Sequence, residues 1–324
     1  MFRKALVAAC ILLVSGAAQA EQILKCGHVL AANSQFSAAV KAMNEDIQKR
    51  TNGRYRIEEY PASALGSGPA MLEATKLGTQ DIIISSTGGA LSKFNPEAGL
   101  LDLVGLIKNN AHADAVLDGP IGKQLLDSFT KVNIKGLAFG EQGFRQLTNN
   151  VRPIFSPKDM AGLTFRLAES EIYVKAFQTL GAKTVTIPFA QVYQTLQSGR
   201  ADGQENPIPT ILSAKIQDVQ KFATISNHTY AGALIGINLD LFNDMTPEDQ
   251  KIFVEAAQKG ALASRKFVRD QEAKGIEALK AAGMQVNLEF DHAALTVALD
   301  PFYAEYSKVY GADKIAAIKA AAPK

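Results

Sequence analysis

Two arginines carry the clearest chemical signal in this sequence. Arg166 lies within Leu163-Thr164-Phe165-Arg166-Leu167, where the apolar neighbours predict a partly buried strand, and Arg145 follows Gly143-Phe144 at the end of another expected strand. A guanidinium keeps its proton in proteins, so a buried one requires an anion. That anion can be an internal carboxylate, with Glu169 or Glu205 as partner, or a ligand carboxylate gripped through a bidentate pair of hydrogen bonds. The residue pattern leaves both readings open. Nearby in interest is Ala201-Asp202-Gly203-Gln204-Glu205-Asn206-Pro207, a polar stretch in which Pro207 forces Asn206 into an extended conformation. Taken alone it reads as an ordinary turn.

Catalytic chemistry finds little support. The four histidines, His28, His112, His228 and His292, are far apart in sequence and none falls in a metal-binding spacing. There is no G-x-S-x-G elbow, no phosphate-binding loop and no G-x-G-x-x-G fingerprint. The expectation is therefore a binding protein without cofactor or metal.

The elements that would position these residues alternate between strand and helix. Ile23 to Val29 reads as a strand, and Gln35 to Lys49 as a helix with Phe36, Ala39, Val40, Met43 and Ile47 on one face, stopped at Asn52-Gly53. A strand at Tyr55 to Tyr60, a helix at Pro69 to Leu77 and an apolar strand at Asp81 to Ser85 follow. The rhythm resumes at Lys135 to Phe139, passes a turn at Asn149-Asn150, and continues through Thr164 to Leu167, a helix around Ile172 to Leu180, a strand at Lys183 to Ile187 and a helix at Ala190 to Ser198. This is the order of a mainly parallel α/β architecture. The longest helical pattern starts at Thr246-Pro247-Glu248-Asp249, with a capping threonine, a proline at the first helical position and acids at the positive helix end. It runs to Gly283, and about 36 residues at ~1.5 Å each would reach across two lobes or bend between them.

The first twenty residues read as an export signal. Arg3 and Lys4 provide the positive start, Ala5 to Val14 the apolar stretch, and Ala18-Gln19-Ala20 a small-x-small cleavage site. Cys10 in Val7-Ala8-Ala9-Cys10 follows too short an apolar run to read as a lipid-attachment site. Cleavage would remove two of the 34 basic residues and none of the 32 acidic ones, taking the formal charge from +2 to zero. A neutral surface argues against nucleic-acid binding and against attraction to anionic membranes. The remaining length exceeds the size at which one hydrophobic core stops growing, so two lobes are expected, and 47% hydrophobic residues can fill both. Cys26 would be the sole cysteine left, which excludes an internal disulfide; its apolar strand context points to packing rather than reactivity.

In combination, five segments resemble the solute-binding proteins of tripartite ATP-independent periplasmic (TRAP) transporters. They are Tyr60-Pro61-Ala62-Ser63-Ala64-Leu65-Gly66, Gly78-Thr79-Gln80-Asp81, Gly143-Phe144-Arg145-Gln146-Leu147-Thr148-Asn149, Asp159 to Arg166, and Asp202-Gly203-Gln204-Glu205-Asn206-Pro207. Each is weak alone, but their order behind an export signal is specific and covers essentially the whole mature chain. The resemblance implies an α/β periplasmic binding protein fold of two lobes with a hinge, crossing strands and a long helix spanning both. The lobes are expected at 21–143 plus about 232–272, and at 144–231 plus about 273–324. It implies a periplasmic receptor whose Arg166 forms the main salt bridge to a ligand carboxylate, with Arg145 and Asn206 adding hydrogen bonds; a monomer is expected, though the sequence itself does not fix the oligomeric state. This favours the ligand reading of Arg166 over the internal pair. Family pattern also sets Phe189 against the ligand body and Ser85 and Ser86 at its far end, with first-lobe contacts expected near His28 and Gly68. Phe189 reads equally well as core, and the two serines as a strand terminus.

Departures bear on the ligand. Gln191 stands where many relatives carry glutamate, and Val29, Gly68 and Ser86 replace the acidic or amide groups found in sialate binders, which argues against sialic acid. Sugar acids, short hydroxy or keto acids, dicarboxylates and aromatic acids remain. Large and small TRAP membrane subunits are the implied partners. A receptor reporting to a sensor kinase, or a periplasmic enzyme, stands as the alternative.

Overall fold

The computed structural model describes residues 21–322. The expected export signal lies outside them. Among the described residues, nine strands form one continuous sheet: β1 (Gln22–Gly27), β2 (Tyr55–Tyr60), β3 (Ile82–Ser86), β4 (Ile134–Asn149), β5 (Thr164–Leu167), β6 (Lys183–Thr186), β7 (Gly203–Asn206), β8 (Phe222–Asn238) and β9 (Gln285–Asn287). Their order is β2-β1-β3-β8-β4-β7-β5-β6, with β9 pairing with β8. β1 runs parallel to β2 and β3 in the first half, and β5 parallel to β6 and β7 in the second. The two halves are joined by β4 and β8, an antiparallel pair of 16 and 17 residues. These are the crossing strands that the resemblance implies.

The helix Gln35–Arg50 forms as its periodicity dictates, and Phe36, Ala39, Val40, Met43 and Ile47 are all buried. They pack with Leu24, Cys26, Ile82 and Ile84 of β1 and β3 and with Ile252, Phe253 and Ala257 of the long helix. Cys26 is buried, and burial pushes its thiol well above the ordinary range. The long helix, Pro247–Ala281, has 35 residues, about 52 Å of axis. Thr246 Oγ1 accepts from Asp249 N at its start, as the sequence predicts. Two side-chain-free positions let it touch both halves: at Gly260 a Cβ would stand 2.9 Å from Ala39 O, and at Gly275 one would stand 2.3 Å from Ile208 Cγ2.

The strand reading fell short: β8 was not read, the stretch read as a turn at 201–207 holds β7, and β4 was read too short. β4 does not stop near Phe139 but continues to Asn149: single extra residues, Leu137 and Gln142, are absorbed as bulges against β8, and a third irregularity between Arg145 and Leu147 is taken up by extra residues of β8. A bulge breaks the two-residue alternation while the ladder goes on. Gly143 supports the second bulge with φ +119, and a Cβ there would lie 2.8 Å from Val268 of the long helix.

Candidate functional site

β5 alternates so that Phe165 and Leu167 enter the largest core cluster, which turns Arg166 to the opposite face. β7 lies between β5 and β4, and thus Arg166, Asn206 and Arg145, far apart in sequence, come from three adjacent strands. They meet at a cavity of about 330 Å³ between the two halves of the sheet. Of the eight residues singled out by sequence, Arg166, Arg145, Asn206, Phe189, Ser86, Ser85 and Gly68 line it. His28 does not. Its ring is fully buried, donates from Nε2 to Glu59 Oε1 at 2.8 Å and packs edge-on against Phe36.

The two arginines differ in how their charge is met. Arg145 is 2% exposed and lies in a cage: Nε and Nη2 both donate to the Glu205 carboxylate, the latter at 2.8 Å, Nη2 also reaches Asn206 Oδ1 at 3.1 Å, and Nη1 reaches Gln142 Oε1 at 2.9 Å. Its guanidinium also lies 5.7 Å from the centroid of the Tyr173 ring. Burial would raise the Glu205 carboxyl, but the Arg145 charge and hydrogen bonds outweigh it and hold Glu205 below its ordinary value. Arg166 is 1% exposed and has only a carbonyl: Nε donates to Ile187 O at 2.8 Å, and Nη2 donates to the same oxygen. Among the described residues no carboxylate forms a salt bridge with it. Burial pushes its pKa down to about 10, opposed by the more distant Glu169 and Glu205 and reinforced by Arg145. It stays protonated at neutral pH. A buried cation without a counter-ion costs several kcal/mol, so this position favours an anion from outside.

Gln142 was not foreseen. It is the bulged residue of β4, and its Oε1 accepts from both Ser86 Oγ and Arg145 Nη1, which ties the end of β3 to the arginine cage across the cleft. Its sequence signal, one amide between Glu141 and Gly143 inside an apolar strand, is faint. Other contacts also cross between the halves. Gln35 Nε2 donates to Thr210 Oγ1 at 3.1 Å, and Ser170 Oγ to Asp102 Oδ2 at 2.9 Å. Phe189, half-buried, packs against the apolar cluster of β1 and β3 and also against the cluster around Val192 and Ile208. It is therefore both core and cavity wall.

The histidines do not converge. His112 donates from Nε2 to Ile318 O at 2.7 Å, His228 is held through Nδ1 by Ser226 Oγ at 2.8 Å, and His292 is exposed. No cluster of metal-ligating side chains forms among the described residues. Nor is any described helix long and apolar enough to cross a membrane.

With this geometry in hand, similarity to known proteins is informative. Residues 26–309 match the family described as bacterial extracellular solute-binding protein, family 7. The chain is 35% identical over 280 residues to the 2,3-diketo-L-gulonate-binding periplasmic protein YiaO of Escherichia coli (strain K12), covering 86% of this chain and 85% of that protein. A TRAP periplasmic solute-binding protein from Polaromonas sp. JS666, solved with D-erythronate bound, superimposes with a TM-score of 0.92 at 39% identity, covering 94% of this chain and all of that one. A TRAP periplasmic solute-binding protein from Bordetella, with density interpreted as pantoate, gives 0.90 at 37% identity, over 92% of this chain and 99% of that one.

Proposed function

Since this chain belongs to the bacterial extracellular solute-binding proteins of family 7, the non-enzymatic periplasmic receptors of TRAP transporters, we propose that it captures a small organic carboxylate with Arg166 and hands it to the TRAP membrane subunits. One observation carries the reading: Arg166 is buried in the wall of a cleft cavity with a backbone carbonyl as its only hydrogen-bond partner among the described residues. A ligand carboxylate supplies the missing anion through a charge-assisted pair. The acids bound by the relatives from Polaromonas and Bordetella, and the acid named for YiaO, agree with that chemistry.

Arg145 and Asn206 are held as a preorganised unit beside this position, offering hydrogen bonds without a free charge. Ser85, Ser86 and Gly68 contribute the first-half wall, and Phe189 covers the ligand body. β4 and β8 act as the hinge between lobes at 21–143 plus about 232–272 and 144–231 plus about 273–324. Ligand that bridges the walls binds the closed form better than the open one, and that difference drives closure. The closed shape is what the large and small membrane subunits recognise. His28 acts indirectly, holding Glu59 of β2 rather than touching ligand.

A thermal-shift screen of the mature protein against organic acids tests this. A ligand at 100 times its dissociation constant stabilises the fold by about 2.7 kcal/mol. The expected outcome is a clear shift with at least one acid class, absent in Arg166→Ala protein that melts cooperatively. An equal shift in the variant would remove Arg166 from the site.

A further inference from the structure

The charges lining the cavity say more about the ligand, on the premise that Arg166 binds its carboxylate. Three ionisable side chains line it: Arg145, Arg166 and Glu169. Arg145 is neutralised internally by Glu205, which meets it at two nitrogens. That leaves one cation for the ligand, Arg166. Glu169, three residues further along the chain, lines the same cavity half-buried and forms no salt bridge with any described residue. The first-half wall brings no cation at all. Its polar side chains are the hydroxyls of Ser63, Ser67, Ser85 and Ser86, beside apolar Met71 and Ile84.

From this we infer that the site is built for a monoanionic hydroxy acid and that Glu169 is a specificity residue directed against dicarboxylates. One carboxylate balances Arg166. A second one would share the cavity with the Glu169 carboxylate and find no further free cation to balance it, and like charges in a partly desolvated site repel. Hydroxyl groups meet the opposite reception, since the Glu169 carboxylate can accept hydrogen bonds from them and the four serines accept or donate as needed. Size limits the chain as well. A cavity of about 330 Å³ suits a small acid rather than a large one.

Isothermal titration of the mature protein with D-erythronate, succinate and butyrate separates the factors. Erythronate and succinate share a four-carbon skeleton and differ in the second carboxylate; butyrate lacks hydroxyls. The expected order is erythronate first, with succinate at least thirtyfold weaker, and Glu169→Gln narrowing that gap at least tenfold by improving succinate. Succinate binding as tightly as erythronate, or a gap unmoved in Glu169→Gln, overturns the inference while leaving Arg166 as the carboxylate anchor. Absence of binding by all three acids to folded protein, with no acid shifting its melting temperature, instead overturns the carboxylate reading and this inference with it.

Discussion

Arg145 and Arg166 are almost equally hidden, 2% and 1% exposed, and they stand on the two strands that flank β7. The protein treats them oppositely. Around Arg145 it supplies a carboxylate and two side-chain amides; around Arg166 it supplies one carbonyl oxygen. The first is a finished ion pair in the cavity wall; the second has no carboxylate partner among the described residues, and the proposed function assigns that place to the ligand. Burial alone thus does not distinguish a structural arginine from a binding one. What distinguishes them is whether the fold also buries the counter-charge.

Replacing each arginine is the strongest way to break the comparison. Arg145→Ala would leave Glu205 buried with only the His228 ring, 3.7 Å away, beside it, and the expected loss is about 3–5 kcal/mol of folding stability by denaturant titration. Arg166→Ala relieves an uncompensated charge, so its stability should change far less while affinity for the cognate acid falls roughly a hundredfold in isothermal titration. Equal destabilisation by the two substitutions would contradict the distinction.

A third buried charge, Glu141 on β4 beside Gln142, sharpens it. Burial pushes its carboxyl from 4.5 up to about 7, although Arg269 pairs with it at 2.8 Å. The folded state therefore holds a proton that the unfolded chain releases between about pH 4.5 and 7. Stability from this group is full near pH 4.5 and is lost as pH rises through 7. Glu141→Gln should flatten that slope, by roughly 1–3 kcal/mol between pH 5 and 8, measured as the pH dependence of the denaturation midpoint. The smallest expected effect is that of Ser86→Ala, which removes the hydroxyl donated to Gln142 across the cleft. About 1 kcal/mol, or fivefold in ligand affinity, is expected, with little change in the unliganded melting temperature.

Much of this arrangement was legible in the sequence. Arg166 stood out because Phe165 and Leu167 bracket it in a two-residue alternation, and the helix Gln35–Arg50 and the cap at Thr246 followed from periodicity and end chemistry. The full length of β4 was hidden by the bulges at Leu137 and Gln142, which scramble the alternation that identifies strands, and β8 was not read from the pattern at all. Which of Glu169 and Glu205 partners Arg145 depends on strand register across β4 and β7, a long-range property that no local pattern encodes. The same holds for His28, whose partner Glu59 comes from the neighbouring strand β2.

The most direct test of the central claim is a crystal structure of the mature protein with its tightest-binding acid. The account predicts one ligand carboxylate on the Arg166 guanidinium at hydrogen-bond distance, with the Arg145–Glu205 pair intact beside it. A carboxylate that displaces Glu205 from Arg145, or a ligand that leaves Arg166 with only the Ile187 carbonyl, would contradict it.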